Sequence, residues 1–223
     1  MSHTPETTRK RDLLAQIATV GKALGHAYRL ELLEYVAQGE RTVEALTQLT
    51  GLHLATVSQH LQHLRRAGLV RTRREGKYIH YRVAGDDVVN LVNSLRCVAE
   101  NNLSEVQRLV QDYFDDTEAL EALPTADLLE RLREGSVTLL DVRPEEEYRV
   151  GHLPGAINIP ASELAQRLRD LPPGREVVAY CRGPYCALSH DAVRLLRERG
   201  VKALRLEAGY PEWKAAGLPV EDR

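Results

Sequence analysis

The stretch Val178-Ala-Tyr-Cys-Arg-Gly-Pro-Tyr-Cys-Ala187 holds two of the three cysteines in a chain of 223 residues. The apolar run Val177 to Tyr180 leads into Cys181. A short loop with Gly183 and Pro184 follows, and then a helix-like run from Ala187 to Arg199. A strand that delivers a Cys to a helix N-terminus favours a reactive thiolate. Loop N–H groups and the helix dipole both favour negative charge there.

Working outward, Thr138-Leu-Leu-Asp-Val, Val177-Val-Ala-Tyr and Ala203-Leu-Arg-Leu read as strands with helical patterns between them. The C-terminal half is therefore expected to be α/β with a largely parallel sheet. The N-terminal half reads differently. Apolar positions at helical spacing run from Leu13 to Leu24, where Gly25 stops them, and from Leu30 to Val36 before Gly39. Thr42 is placed to cap a short helix closed by Gly51, and a fourth helix is expected over His53 to Ala67. The period then changes. Leu69 to Glu75 and Lys77 to Val83 flank Gly76 and predict a β-hairpin. A long helix is expected from Asp86 toward Phe114, with apolar positions left over for pairing with a second copy of the chain.

Composition bounds the rest. A hydrophobic fraction of 43% and a formal net charge of −2 describe an ordinary globular protein. The neutral total hides an asymmetry. Residues 1–85 carry 13 Lys/Arg against 7 Asp/Glu, and residues 86–223 carry 17 against 25. The basic excess gathers at Arg65, Arg66, Arg71, Arg73, Arg74, Lys77 and Arg82, opposed locally by Glu75. Such a patch is either the footprint of a nucleic-acid-binding module or a solvated charged face. No apolar run reaches membrane-span length, and the polar stretch Met1 to Asp12 shows no secretory signal. A cytoplasmic protein with free thiols is expected, without a disulfide framework, cofactor or membrane partner.

Two segments of the N-terminal half, Leu24-Gly-His-Ala-Tyr-Arg-Leu-Glu-Leu-Leu and Thr56-Val-Ser-Gln-His-Leu-Gln-His-Leu-Arg-Arg-Ala-Gly-Leu-Val, with Arg71 to Tyr81, resemble the ArsR-type winged helix-turn-helix repressors. The resemblance covers roughly residues 10–100 and implies a homodimer on a palindromic double-stranded DNA operator. By position, Thr56, Ser58, Gln59 and His60 would face the major groove, and Arg73, Arg74 and Lys77 the backbone or minor groove. His63 reads as a packed or solvent-facing helix residue. The metal-sensing motifs of that family are absent. Glu40 to Leu46 has no Cys, and residues 86–114 have no His, so no metal site is expected. The family's persulfide sensors pair a Cys on the long helix with one near the second helix. Residues 25–40 contain none, which leaves Cys97 as a small hydrophobe at a helix interface.

Leu139-Leu-Asp-Val-Arg-Pro-Glu-Glu-Glu-Tyr-Arg-Val-Gly-His-Leu-Pro-Gly-Ala-Ile-Asn-Ile-Pro160 and Leu206-Glu-Ala-Gly-Tyr-Pro-Glu-Trp-Lys-Ala-Ala-Gly-Leu-Pro-Val220, with the Cys181 loop, resemble the rhodanese sulfurtransferases. The resemblance implies that Cys181 is the nucleophile and carries sulfur as a persulfide. The loop Arg182, Gly183, Pro184, Tyr185 and Ala187 would cradle the anion, with Gly183 curling the backbone toward the sulfur. Asp141, Arg143, Glu147 and His152 would form a structural polar network. The family commonly ends this loop with Arg or Lys, but here that position is Cys186. The phosphatase and arsenate-reductase relatives also end theirs in Arg. A second thiol at this point suggests a redox partner able to resolve Cys181 into a Cys181–Cys186 bond.

The expected organisation is an α/β chain overall. An all-α winged helix domain with a β-hairpin wing spans 1–114, a linker 115–123, and an α/β rhodanese domain with a parallel sheet 124–223. The leading functional reading is a DNA-binding repressor that senses reactive sulfur, an oxidant or another thiophilic effector through Cys181 with Cys186. The alternative is an active thiosulfate or persulfide sulfurtransferase with an autoregulatory DNA-binding domain.

Overall fold

The computed structural model describes residues 5–113 and 122–222. Two compact units divide the chain, Met1–Val88 and Val89–Arg223.

The first unit contains α1 (Pro5–Leu24), α2 (Ala27–Ala37), β1 (Arg41–Thr42), α3 (Val43–Thr50), α4 (Leu54–Arg66), β2 (Val70–Glu75) and β3 (Tyr78–Val83). Local chemistry sets the boundaries. The His26 ring nitrogen accepts from the Tyr28 N–H at 3.2 Å and caps α2. Thr42 caps α3 by accepting from the Ala45 N–H, and Gly51 ends it at φ +68°. Val57, Leu61 and Leu64 of α4 are fully buried at positions one helical turn apart, against Leu32, Leu33, Val36 and Leu46. Each such side chain contributes about 1.5–3 kcal/mol by leaving water. The opposite face of α4 carries exposed Gln59, Gln62, His63, Arg65 and Arg66. The expected hairpin forms with Gly76 at φ +59°, and it gains a strand that sequence periodicity did not reveal. The two-residue β1 pairs with β3, giving the order β1-β3-β2.

The long helix expected from Asp86 is two helices, α5 (Asp86–Asn102) and α6 (Ser104–Tyr113). The break falls at Leu103, just after Asn101-Asn102. The Asn102 amide donates to the Val98 carbonyl at 2.8 Å, a side-chain bond that competes with the backbone ladder. Residues 115–121 of the expected linker lie outside the described residues, and Ala122–Leu123 form β4. Then follow α7 (Thr125–Arg133), β5 (Val137–Asp141), α8 (Glu145–Val150), β6 (Ile157–Asn158), α9 (Leu164–Arg167), β7 (Glu176–Tyr180), α10 (Ala187–Glu198), β8 (Ala203–Leu206) and α11 (Tyr210–Ala215). The sheet is parallel throughout in the order β4-β8-β7-β5-β6.

Side chains alternate across β7. Val177, Ala179 and Cys181 face Ala192, Val193 and Leu196 of α10, while Val178 and Tyr180 join Leu128, Leu153, Tyr210 and Trp213 on the other face. Both faces of the sheet are buried, so the strand reads as a continuous apolar run. β7 is central and ends at Cys181, and loops at the carboxyl ends of central parallel strands are where this architecture binds ligands.

Candidate thiol site and nucleic-acid interface

The loop from Cys181 to Cys186 joins β7 to α10, and both sulfurs are buried: Cys181 is 2% exposed and Cys186 9%. Cys186 is the N-cap residue of α10. The Cys181 sulfur lies 3.1 Å from the Ser189 hydroxyl, 3.6 Å from the Cys186 carbonyl and 3.7 Å from the Gly183 carbonyl. The two carbonyl oxygens suit S–H more than S⁻, while the Ser189 hydroxyl and the Gly183 backbone act the other way. Burial pushes the Cys181 thiol well up, with the Cys186 sulfur adding to the effect. Cys186 moves the other way, down to about 6, because Cys181 donates its S–H to it. The N–H groups of Arg182 and Leu188 and the Arg182 guanidinium assist against the cost of burial. The pair therefore shares one proton, and the first negative charge rests on Cys186.

The loop is held from below. The Tyr210 N–H donates to the Cys181 carbonyl at 3.1 Å. A Cβ at Gly209 would lie 2.4 Å from the Gly183 nitrogen and 2.5 Å from the Arg182 carbonyl carbon. Gly209 is thus the glycine this site requires. Gly183, expected to curl the backbone, is outside the positive-φ set, and a Cβ there would find its nearest neighbour 3.7 Å away. Arg182 is not a dedicated cation for the sulfurs. It is clamped by buried Glu147 through Nε at 3.0 and 3.1 Å and Nη2 at 2.8 Å.

Three further contacts were not readable in the sequence. Ser189 sits against the Cys181 sulfur. Arg205 of β8, 7% exposed, reaches the Pro184 carbonyl at the middle of the loop. Tyr185, next to Cys186, donates its hydroxyl to Glu100 of α5 at 2.6 Å, and Arg96 of the same helix lies 5.7 Å from its ring. A helix N-terminus beside a Cys predicts Ser at its first turns only weakly, and the other two partners are distant in sequence.

The expected polar network forms at the end of β5. Asp141 and Arg143 are both fully buried and joined at 2.6 Å, and Arg143 also donates to the Gly151 carbonyl. His152 stacks on Tyr148 with ring centroids 3.7 Å apart.

On the first unit, Gln59 is exposed, and Thr56 and Ser58 are half-buried on α4. His60 is turned inward. Its ring lies 4.4 Å from that of His26, its Nδ1 is enclosed without a hydrogen bond, and burial lowers its pKa. His63 points outward with Nδ1 2.8 Å from the Gln59 carbonyl. On the wing, Lys77 and Arg74 stand at the tip, Arg74 donating to the Gly76 carbonyl. Arg73 is engaged by Glu40 and Glu75 instead. Cys97 is half-buried beside Arg96. Among the described residues, no three His, Cys, Asp or Glu side chains are grouped to hold a metal ion. No helix among them is long and apolar enough to cross a membrane.

Comparison with known proteins matches residues 24–73 to a helix-turn-helix domain and residues 124–216 to a rhodanese-like domain. The HTH-type transcriptional regulator Rv0324 of Mycobacterium tuberculosis is 49% identical over 217 residues, 97% of this chain and 95% of that protein. The chain belongs to the HTH-type transcriptional regulators. In this regulator the helix-turn-helix unit is joined to a rhodanese-like domain. Its N-terminal half is also similar to the biofilm growth-associated repressor of Agrobacterium fabrum, 42% identical over 91 residues, 40% of this chain and 78% of that protein. A solved winged helix-turn-helix fragment from Mycobacterium bovis, described as homodimeric and of a possible ArsR-family regulator, is 47% identical, covering 46% of this chain and 94% of that one, with a TM-score of 0.42.

Proposed function

We propose that this regulator is a repressor whose operator affinity responds to reactive sulfur or oxidant at the Cys181–Cys186 pair. One observation carries the reading. Two buried thiols bracket a single loop, and the second stands at the loop's end where a sulfurtransferase reading would want a free cation.

The chemistry balances with an organic persulfide, RSSH, as donor. Cys181 passes its proton to the Cys186 thiolate and attacks the outer sulfur of the donor. The donor S–S bond breaks, and RS⁻ leaves and takes the proton back from Cys186. Cys181 now carries –S–SH. The regenerated Cys186 thiolate attacks the Cys181 Sγ, and HS⁻ leaves. Two thiols are oxidised to one disulfide, and the sulfane sulfur is reduced to sulfide.

Bond formation must shift Cys186, and Tyr185 beside it is hydrogen-bonded to Glu100 of α5. Leu91, Leu95 and Val98 on that helix are exposed apolar residues at helical spacing, as are Leu13, Leu14 and Ile17 on α1. These faces fit pairing with a second copy, and a palindromic operator follows from a two-fold dimer. Gln59, with Thr56 and Ser58, would read bases, and Arg74 and Lys77 would hold phosphates. The test combines intact mass with operator binding for the native chain, Cys181→Ser and Cys186→Ser, after thiosulfate and after an organic persulfide. Loss of two hydrogens that needs both cysteines, with altered operator affinity, supports the reading. Gain of one sulfur that needs Cys181 alone, with unaltered affinity, favours a sulfurtransferase. No mass change with either donor removes both.

A further inference from the structure

We propose that Arg205 is the positioning cation for the sulfur anion that forms on Cys181, supplied from the neighbouring strand in place of a cation at the loop's end. The inference rests on the sulfur-carrying reading of Cys181 given above.

Sheet register places the side chain. Ala179 of β7 pairs with Arg205 of β8, and side chains of paired residues in a parallel ladder lie on the same face. Cys181 is two residues beyond Ala179, so it shares that face. Ala203, two residues before Arg205, packs in the same core cluster as Ala179 and Cys181. The guanidinium is therefore directed between the sheet and α10, under the loop. Its Nη1 donates to the Pro184 carbonyl at 3.4 Å and to the Leu206 carbonyl at 3.2 Å.

Arg205 is more than nine-tenths buried, and among the described residues it makes no ion pair within 4.0 Å. Its Nε is enclosed with no hydrogen-bond partner. A buried guanidinium without a counter-anion is unfavourable, and a donor left unused is rarer still. The other cation of the loop, Arg182, is already matched by Glu147. The charged and titratable groups that act on Arg205 are few. Burial lowers its pKa, Cys181 acts against that most strongly, Glu207 adds to Cys181, and Arg96 opposes them. His190 of α10 is held neutral, its pKa pushed down to about 4 by burial and by Arg205 itself. With no ion pair among the described residues and an unused Nε, Arg205 gains a counter-charge when Cys181 becomes thiolate or persulfide.

The experiment uses the full chain carrying Cys97→Ser and Cys186→Ser, which isolates Cys181, with Arg205 native or changed to Gln, Lys or Met. Gln keeps an N–H donor for Pro184 and removes the charge. Met serves if Gln fails to fold, because an apolar side chain relieves the buried charge. The readouts are the pH midpoint of Cys181 alkylation and the fraction of protein that retains one sulfur after treatment with an organic persulfide. The expected midpoint rises by about one pH unit or more in Gln and Met, equal to a tenfold loss of thiolate at a fixed pH below it. Lys restores most of the shift, which a purely structural role would not do. Equal midpoints across native, Gln, Met and Lys overturn the proposal. If the native-Arg205 chain takes up no sulfur, the sulfur-carrying reading fails, while the midpoints still decide the role of Arg205.

Discussion

Replacing Cys181 by Ala should raise the pH at which Cys186 ionises. The Cys181 S–H is the main reason Cys186 sits at about 6, ahead of the N–H groups of Arg182 and Leu188. A midpoint of 6 leaves about 90% thiolate at pH 7, whereas an ordinary thiol at about 8.5 leaves about 3%. Because Cys186 is depressed, its anion is present above the midpoint and is lost as pH falls through it. The rate at one pH is a poor observable. A thiolate of higher pKa is intrinsically more nucleophilic, with a slope of about 0.4–0.5, so a shift of about 2.5 units returns roughly tenfold of the loss. The midpoint of the rate–pH profile has no such compensation. The assay is alkylation of Cys186 from about pH 5 to 9, read by peptide mass in a Cys97→Ser background. The expected order is a native midpoint near 6, Cys181→Ser slightly above it because an O–H still donates, and Cys181→Ala highest. A native midpoint above about 8, or equal midpoints for native and Cys181→Ala, would refute the shared-proton account.

Gly209→Ala forces a methyl to within 2.4 Å of the Gly183 nitrogen, so it should cost about 1–3 kcal/mol in denaturant unfolding and slow Cys181 chemistry. Gly183→Ala has room for its methyl and should stay within about 1 kcal/mol of native. Asp141→Ala removes the carboxylate that pairs with the buried Arg143 guanidinium, and urea melts should show a loss of about 3–5 kcal/mol. Tyr185→Phe removes only the hydroxyl that reaches Glu100. It should give the same mass change with persulfide as the native chain, yet a smaller change in operator affinity by fluorescence anisotropy. By reciprocity, a tenfold change in operator affinity on oxidation requires operator DNA to shift the midpoint potential of the thiol pair by about 30 mV, measurable by redox titration with and without DNA.

Elements with strong periodicity and marked ends were legible. Thr42, Gly51 and Gly76 punctuate the first unit where expected, because caps and positive-φ turns are local chemistry. The central strands β5, β7 and β8 were readable as apolar runs bounded by polar segments. β1, β4 and β6 were not, since a two-residue strand has no period and exists only because a partner strand pairs with it. The continuous helix from Asp86 failed at Leu103 for a related reason. Its apolar spacing persists through the break, while the competing Asn102 side chain is a local effect that spacing does not register.

The thiol site divides along the same line. Cys181 and Cys186 were visible because a strand–loop–helix places them within six residues. Which sulfur bears the charge was not, because that depends on how deeply each is buried and on which of the two donates to the other. The two arginines make the same argument with opposite sign. Arg182 lies in the loop and looks like its cation, yet Glu147, thirty-five residues earlier, occupies it. Arg205 lies on another strand and touches the loop. The sequence does hold a trace of it. In Ala203-Leu-Arg-Leu206, with both sheet faces apolar, an arginine must enter the core on one side or the other. A charge at such a position raises the question of what it faces, and strand parity answers that it lies on the side of Ala179 and Cys181.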